Sequence, residues 1–67
     1  MMNMGEKIRM HRLRRSMTQE RLSQSVGGTA QAVSKWENGT SDPSTSNLIA
    51  LAKLFNLSAE ELLHEVR

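Results

Sequence analysis

The chain contains no cysteine and no tyrosine, and only one tryptophan, one phenylalanine and one proline. Without thiols, disulfide bonds and thiolate metal sites are excluded. The missing tyrosine, together with the lack of any sustained alternation of branched and polar residues, removes the usual signals of β-strands. No apolar run approaches the roughly 20 residues that cross a bilayer. The opening MMNMGEKIRM reaches charge before any apolar stretch develops, unlike a secretory leader. A cytoplasmic setting, with no membrane partner, is therefore expected. The 67 residues form one small domain, 1–67 with a core over about 4–64, near the size limit for a core that folds unaided. Tight helix packing is needed, and a partner subunit would help.

Charge is present but unevenly spread. Residues 1–35 carry seven basic side chains (Lys7, Arg9, Arg12, Arg14, Arg15, Arg21, Lys35) against Glu6 and Glu20. Residues 36–67 carry Lys53 and Arg67 against Glu37, Asp42, Glu60, Glu61 and Glu65. A basic half beside an acidic half suits an oriented encounter with a polyanion. On charge alone, a solvated surface is the simpler account.

Start and stop signals divide the chain into five short helices. Asn3 with Glu6 three residues on reads as a capping pair for helix 1, roughly 4–15. Thr18 caps helix 2, roughly 19–26, with Glu20 favourable in its first turn. Gly27 and Gly28 end it. Thr29 caps helix 3, roughly 30–38, which stops at Gly39. Pro43 lies in the polar loop before helix 4, roughly 46–55, and Ser58 with Glu61 forms a capping box opening helix 5. The class is all-α. Apolar residues three and four apart then name the core: Met4 and Ile8, Leu22 and Val26, Val33 and Trp36, then Leu48, Leu51, Ala52 and Phe55, with Leu62 or Leu63 closing the bottom. Trp36 anchors helix 3 within the core.

The opposite face of helix 3 is polar. At 100° per residue, Gln31, Ser34, Lys35 and Asn38 fall together, with no acid among them. A single helix fits the DNA major groove. There an amide such as Gln31 can pair with adenine and Ala32 can pack on a thymine methyl. Helix N-termini also favour phosphate oxygens. Two short helices joined by a Gly-containing turn are the plan of a helix-turn-helix, whose second helix reads the groove.

The stretches MTQERLSQSVGGTAQAVSKWENG and LIALAKLFNLSAEELL strongly resemble the lambda-repressor-like, Cro/CI (XRE-type) helix-turn-helix family over roughly residues 4–64. The resemblance implies a compact five-helix domain that binds double-stranded operator DNA, usually as a homodimer. It implies a transcriptional regulator, a repressor in the simplest case, associated with the nucleoid. It gives Gln19 the role of clamping a phosphate. Thr29, Ala30, Gln31, Ala32, Ser34 and Lys35 take the groove-facing positions, and Asn38, Gly39 and Thr40 the backbone-contacting end. Arg12 and Glu37 match a structural ion pair. The dimer is expected through helices 4 and 5 and can form on the DNA.

Some positions depart from the family pattern. Gly28 replaces an apolar turn residue, which should loosen the turn. Ala30 stands where longer polar residues are common, favouring readout of DNA shape. Ser16 replaces a common glycine, a modest weakening of the cap. Asp42 stands where some relatives carry a basic residue, so phosphate anchoring should lean on Gln19, Lys35, backbone N–H groups and Arg9 or Arg14. Met10 and Leu13 point away from Ile8, and Ile49 and Leu54 flank the inner face of helix 4. These side chains support an alternative role, a protein-interaction module on a helix-turn-helix scaffold. An enzyme is not expected: His11 and His64 are far apart, each reads as a surface or edge residue, and VGGTA matches no phosphate-binding pattern. No catalytic residue, cofactor, metal or small-molecule ligand is expected.

Overall fold

The computed structural model describes residues 3–64, which form five α-helices: α1 Met4–Arg14, α2 Gln19–Val26, α3 Ala30–Asn38, α4 Thr45–Leu54 and α5 Ala59–His64. Each begins where a short polar side chain can satisfy an otherwise unpaired N–H. The Asn3 side chain accepts from Glu6 N at 2.8 Å, and Glu6 Oε1 accepts from Asn3 N at 3.2 Å. Ser58 and Glu61 make the same reciprocal box at α5, both bonds being 3.0 Å. Thr18 and Thr29 cap α2 and α3. The expected start of α4 is off by one residue. Ser44, rather than a residue nearer 46, supplies the cap by accepting from Asn47 N.

The helices surround one core built from Ile8, Leu22, Val26, Val33, Trp36, Leu51, Ala52, Phe55 and Leu62. Trp36 is 5% exposed, as its spacing requires. Between the two leucines left open by the sequence, Leu62 is fully buried and Leu63 is exposed. Helix α3 packs against both α1 and α2, while α4 joins α2 to α5. The α1–α3 crossing needs Gly5: a Cβ there would lie 2.6 Å from the Glu37 carbonyl oxygen and also strike the Trp36 carbonyl.

One sequence expectation needs correction. His11 is not a surface residue. It is buried and stacks on Phe55 with ring centroids 5.0 Å apart, because its position three residues after Ile8 turns it inward. Ser16 takes φ +54°, in the left-handed region that favours glycine, in keeping with the weakened cap expected there. Of the apolar side chains thought to stand outside, Leu13 and Ile49 are exposed, Met10 is half-buried, and Leu54 packs partly against the core.

Candidate nucleic-acid interface

The α2–α3 unit is set by its turn. Gly27 takes φ +78° and closes α2, with its N–H on the Ser23 carbonyl. Gly28 N also donates to Ser23 O at 3.0 Å. Thr29 then starts α3, its hydroxyl accepting from Ala32 N at 3.1 Å. With Val33 and Trp36 turned into the core, the helix has one possible outward face. Gln31, Lys35 and Asn38 are exposed on it, and Ala30 and Ser34 are half-exposed. No acidic residue lies in the first turn of α3. Ala32 is turned partly inward against the core and stands only at the edge of this face.

The first turn of α2 is tied to the last turn of α3 through Glu37. Arg12 approaches the Glu37 carboxylate with both arms, Nε to Oε2 at 2.7 Å and Nη2 to Oε1 at 3.1 Å. The same Oε1 accepts from Gln19 Nε2 at 3.1 Å, and Arg12 Nη1 reaches the Met17 carbonyl at 2.8 Å. Side-chain exposure is 11% for Arg12 and 4% for Glu37, so this charge pair is largely out of water. Three helices are thus fixed at one carboxylate. Gln19 keeps a second N–H that Glu37 does not use.

At the other end of the face, the backbone is already engaged. Gly39, at φ +77°, donates to the last carbonyls of α3, including Trp36 O at 3.2 Å. Thr40 N donates to Lys35 O at 2.9 Å. Any contact made by Asn38, Gly39 and Thr40 therefore comes from the Asn38 amide and Thr40 hydroxyl, not from those two N–H groups.

The basic half of the sequence divides in the same way. Lys7 is 3% exposed and donates to the Glu61 carbonyl at 2.8 Å, one of the last four carbonyls of α5. Arg15 donates to Phe55 O at 2.7 Å and lies over the Phe55 ring. Sequence reading placed Arg12 in an ion pair but missed these two internal ties. The signal was present: Lys7, His11 and Arg15 repeat every four residues on the flank of Ile8. Arg14 lines a cleft between α1 and α5 of about 600 Å³, beside Glu60, Glu61 and His64. Arg9 is exposed and lies one helical turn after Gly5, on the side of α1 that crosses α3. No grouping of His, Asp or Glu able to hold a metal occurs among the described residues. No helix among them is long and apolar enough to cross a membrane.

This architecture has close counterparts. The P22 c2 repressor, solved in complex with a synthetic operator, superposes with a TM-score of 0.86 at 35% identity, covering 92% of this chain and 94% of that one. The DNA-binding domain of the P22 c2 repressor in solution gives a TM-score of 0.88 at 36% identity, over 96% of this chain and 84% of that chain. Repressor protein C2 of Salmonella phage P22 is 38% identical over 60 residues, which is 90% of this chain and 28% of that protein. The HTH-type transcriptional activator BcrR of Enterococcus faecalis is 34% identical over 62 residues, 92% of this chain and 30% of that protein. The HTH-type transcriptional regulator DicA of Escherichia coli K12 is 36% identical over 62 residues, 92% and 46% of the respective chains. The chain thus spans less than half the length of each of these three regulators. A helix-turn-helix family model matches residues 8–62. With its lambda-repressor-like arrangement of five helices, the chain belongs to the helix-turn-helix family.

Proposed function

We propose that this domain is a sequence-specific binder of double-stranded DNA and acts as a transcriptional regulator, in the simplest case a repressor that covers a promoter. The observation that carries this reading is the superposition, over nearly the full chain, on a repressor solved with its operator. The exposed, acid-free face of α3 supports it independently, since phosphates would repel acidic side chains there.

Helix α3 enters the major groove. Gln31 reads a base edge, Ser34 and Lys35 lie along the groove, and Thr29 and Ala30 sit at the leading end. Ala32 offers its methyl only from the edge of this face, so shape readout carries a larger share of specificity. Gln19 clamps a phosphate from the start of α2, held in place by Glu37. Asn38 and Thr40 reach backbone oxygens with their side chains beside Gly39, and Arg9 adds a cation on the α1 side. Two copies bind a palindrome as a homodimer, with half-sites about one DNA turn, roughly 34 Å, apart. Exposed Ile49 and Leu63 on α4 and α5 supply the apolar part of that contact. The protein works in the cytoplasm, associated with the nucleoid.

Selection of bound duplexes from a random pool at about 0.15 M salt, where phosphate-only binding is weak, tests this reading. Enrichment of a palindrome with half-sites one turn apart is the expected result. No enrichment would overturn it and favour a protein-binding surface around Met10 and exposed Leu13. On the selected duplex, Gln31→Ala should cost about 1–3 kcal/mol and relax specificity at one base pair. An equal loss on every sequence would remove Gln31 from the reading face.

A further inference from the structure

The end of α3 carries the only Asn-Gly pair in the chain, Asn38–Gly39. Asn38 is exposed, and its side chain makes no hydrogen bond among the described residues. It is followed by a residue with no Cβ to shield the backbone nitrogen. The other asparagines, Asn3, Asn47 and Asn56, precede Met4, Leu48 and Leu57, whose side chains crowd that nitrogen. We propose that Asn38 is a site of spontaneous deamidation, opened by fraying of the last turn of α3, and that its product disables the end of α3 facing DNA phosphates. The second part rests on the DNA-binding reading above.

The chemistry needs only water and a base. The Gly39 nitrogen gives its proton to solvent hydroxide and attacks Asn38 Cγ. A C–N bond forms, the Cγ–Nδ2 bond breaks, and the departing nitrogen takes a proton to leave as ammonia. Water then adds to either carbonyl of the five-membered imide and cleaves its bond to the ring nitrogen. The product is aspartate or, by the other opening, isoaspartate. One water is consumed, one ammonia is released, and no electron changes hands.

The fold sets the gate on this reaction. Asn38 lies within α3, and a helical ψ near −42° points the Gly39 nitrogen away from the Asn38 side chain. That nitrogen also donates to Trp36 O at 3.2 Å, and the next N–H, of Thr40, holds Lys35 O at 2.9 Å. Both bonds must open before the ring can close. They belong to a helix end, where opening is least costly. Once formed, a carboxylate at position 38 opposes the negative end of the helix dipole and stands where a phosphate is expected. The isoaspartyl form also adds a carbon to the main chain, so the Gly39 and Thr40 bonds lose their register.

The test is incubation of the intact chain in mildly alkaline buffer, with peptide mass mapping over time, alongside Asn38→Gln, whose longer side chain closes a ring much more slowly. A gain of one mass unit should arise first on the peptide bearing Asn38, quicken in urea below the unfolding midpoint, and vanish in Asn38→Gln. Equal gains at Asn3, Asn47 and Asn56, an undiminished gain in Asn38→Gln, or a rate indifferent to urea would overturn the assignment. The modified protein and Asn38→Asp should each bind the selected duplex several-fold more weakly than the fresh chain. Equal binding by the modified protein would overturn the functional half. If the fresh chain binds no duplex, the DNA-binding reading fails while the mass result still decides the site.

Discussion

Removing the Glu37 carboxylate is the most severe single change that the interface geometry suggests. Glu37→Ala leaves the Arg12 guanidinium with only the Met17 carbonyl, and deprives the Gln19 amide of its acceptor. Stripping one member from a buried pair costs about 3–5 kcal/mol, mostly as the penalty of an uncompensated charge. At 11% exposure Arg12 can recover some hydration, which places the expected loss near the lower bound, about 3 kcal/mol. A domain of this length has a total stability of only about 3–10 kcal/mol. The variant should therefore be close to unfolding. In urea the midpoint should fall by about 3 M for a slope near 1 kcal/mol/M. The double variant Arg12→Met with Glu37→Leu should lie nearer the parent than Glu37→Ala does, since no charge is stranded. A loss under about 1 kcal/mol for Glu37→Ala would refute the reasoning, placing the pair with ordinary surface ion pairs.

Three further outcomes follow from local geometry. Gly28 precedes the α3 cap at a negative φ, and a Cβ there would sit 3.7 Å from Trp36 Cη2, so Gly28→Val should restore a missing apolar staple and stabilise by about 1 kcal/mol. A thermal melt should then rise by about 4–8 °C, and no rise would mean that the turn is not loosened by the glycine. Ser16→Gly relieves a left-handed backbone and should gain about 1 kcal/mol in urea, and a loss would show that the serine is not strained there. The Glu61 carboxyl is held below its usual 4.5 by the Ser58 backbone N–H first, with the Ser58 hydroxyl and Lys7 adding to the effect. A depressed carboxylate stabilises above its unfolded value and loses that contribution as pH falls through the folded one. Glu61→Gln should accordingly flatten the decline in stability below pH about 4.5, read by melts across an acid series, and an unchanged acid limb would refute this.

The helices were legible because each carries its own local marks. The Asn3–Glu6 and Ser58–Glu61 boxes and the Thr18 and Thr29 caps are short-range chemistry, and all four form. The face of α3 was legible for a related reason: once Val33 and Trp36 point inward, 3.6-residue periodicity dictates what points out. Three features escaped because they depend on contacts distant in sequence or on backbone angles. Gly5 looks like an ordinary weak helix residue until the Trp36 and Glu37 carbonyls lie against it. The left-handed turn at Ser16 shows only through the glycine that the family resemblance places there, since serine itself has no preference for it. Lys7 was counted as surface charge because its partner, the Glu61 carbonyl, is 54 residues away.

That last point changes what the charge pattern means. Seven basic residues in the first half suggested a broad electrostatic footprint, yet Lys7, Arg12 and Arg15 each hold another helix in place. Arg12 is neutralised by one buried carboxylate, while Lys7 and Arg15 keep their charge but are committed to carbonyl ends, so all three serve the fold first. Arg14 is set among the acids beside α5. Of the seven, the exposed cations that remain are Arg9, Arg21 and Lys35, together with neutral donors from Gln19, Asn38 and Thr40. An interface with so few cations depends on geometry more than on charge, because a neutral amide must be held in place to donate well, whereas a flexible cation attracts from a distance. Glu37 supplies that constraint for Gln19, whereas the Gly39 turn fixes only the backbone from which the Asn38 amide projects. In the proposed DNA-binding mode, the buried ion pair and the glycine stop therefore support the recognition surface, although neither needs to touch the nucleic acid.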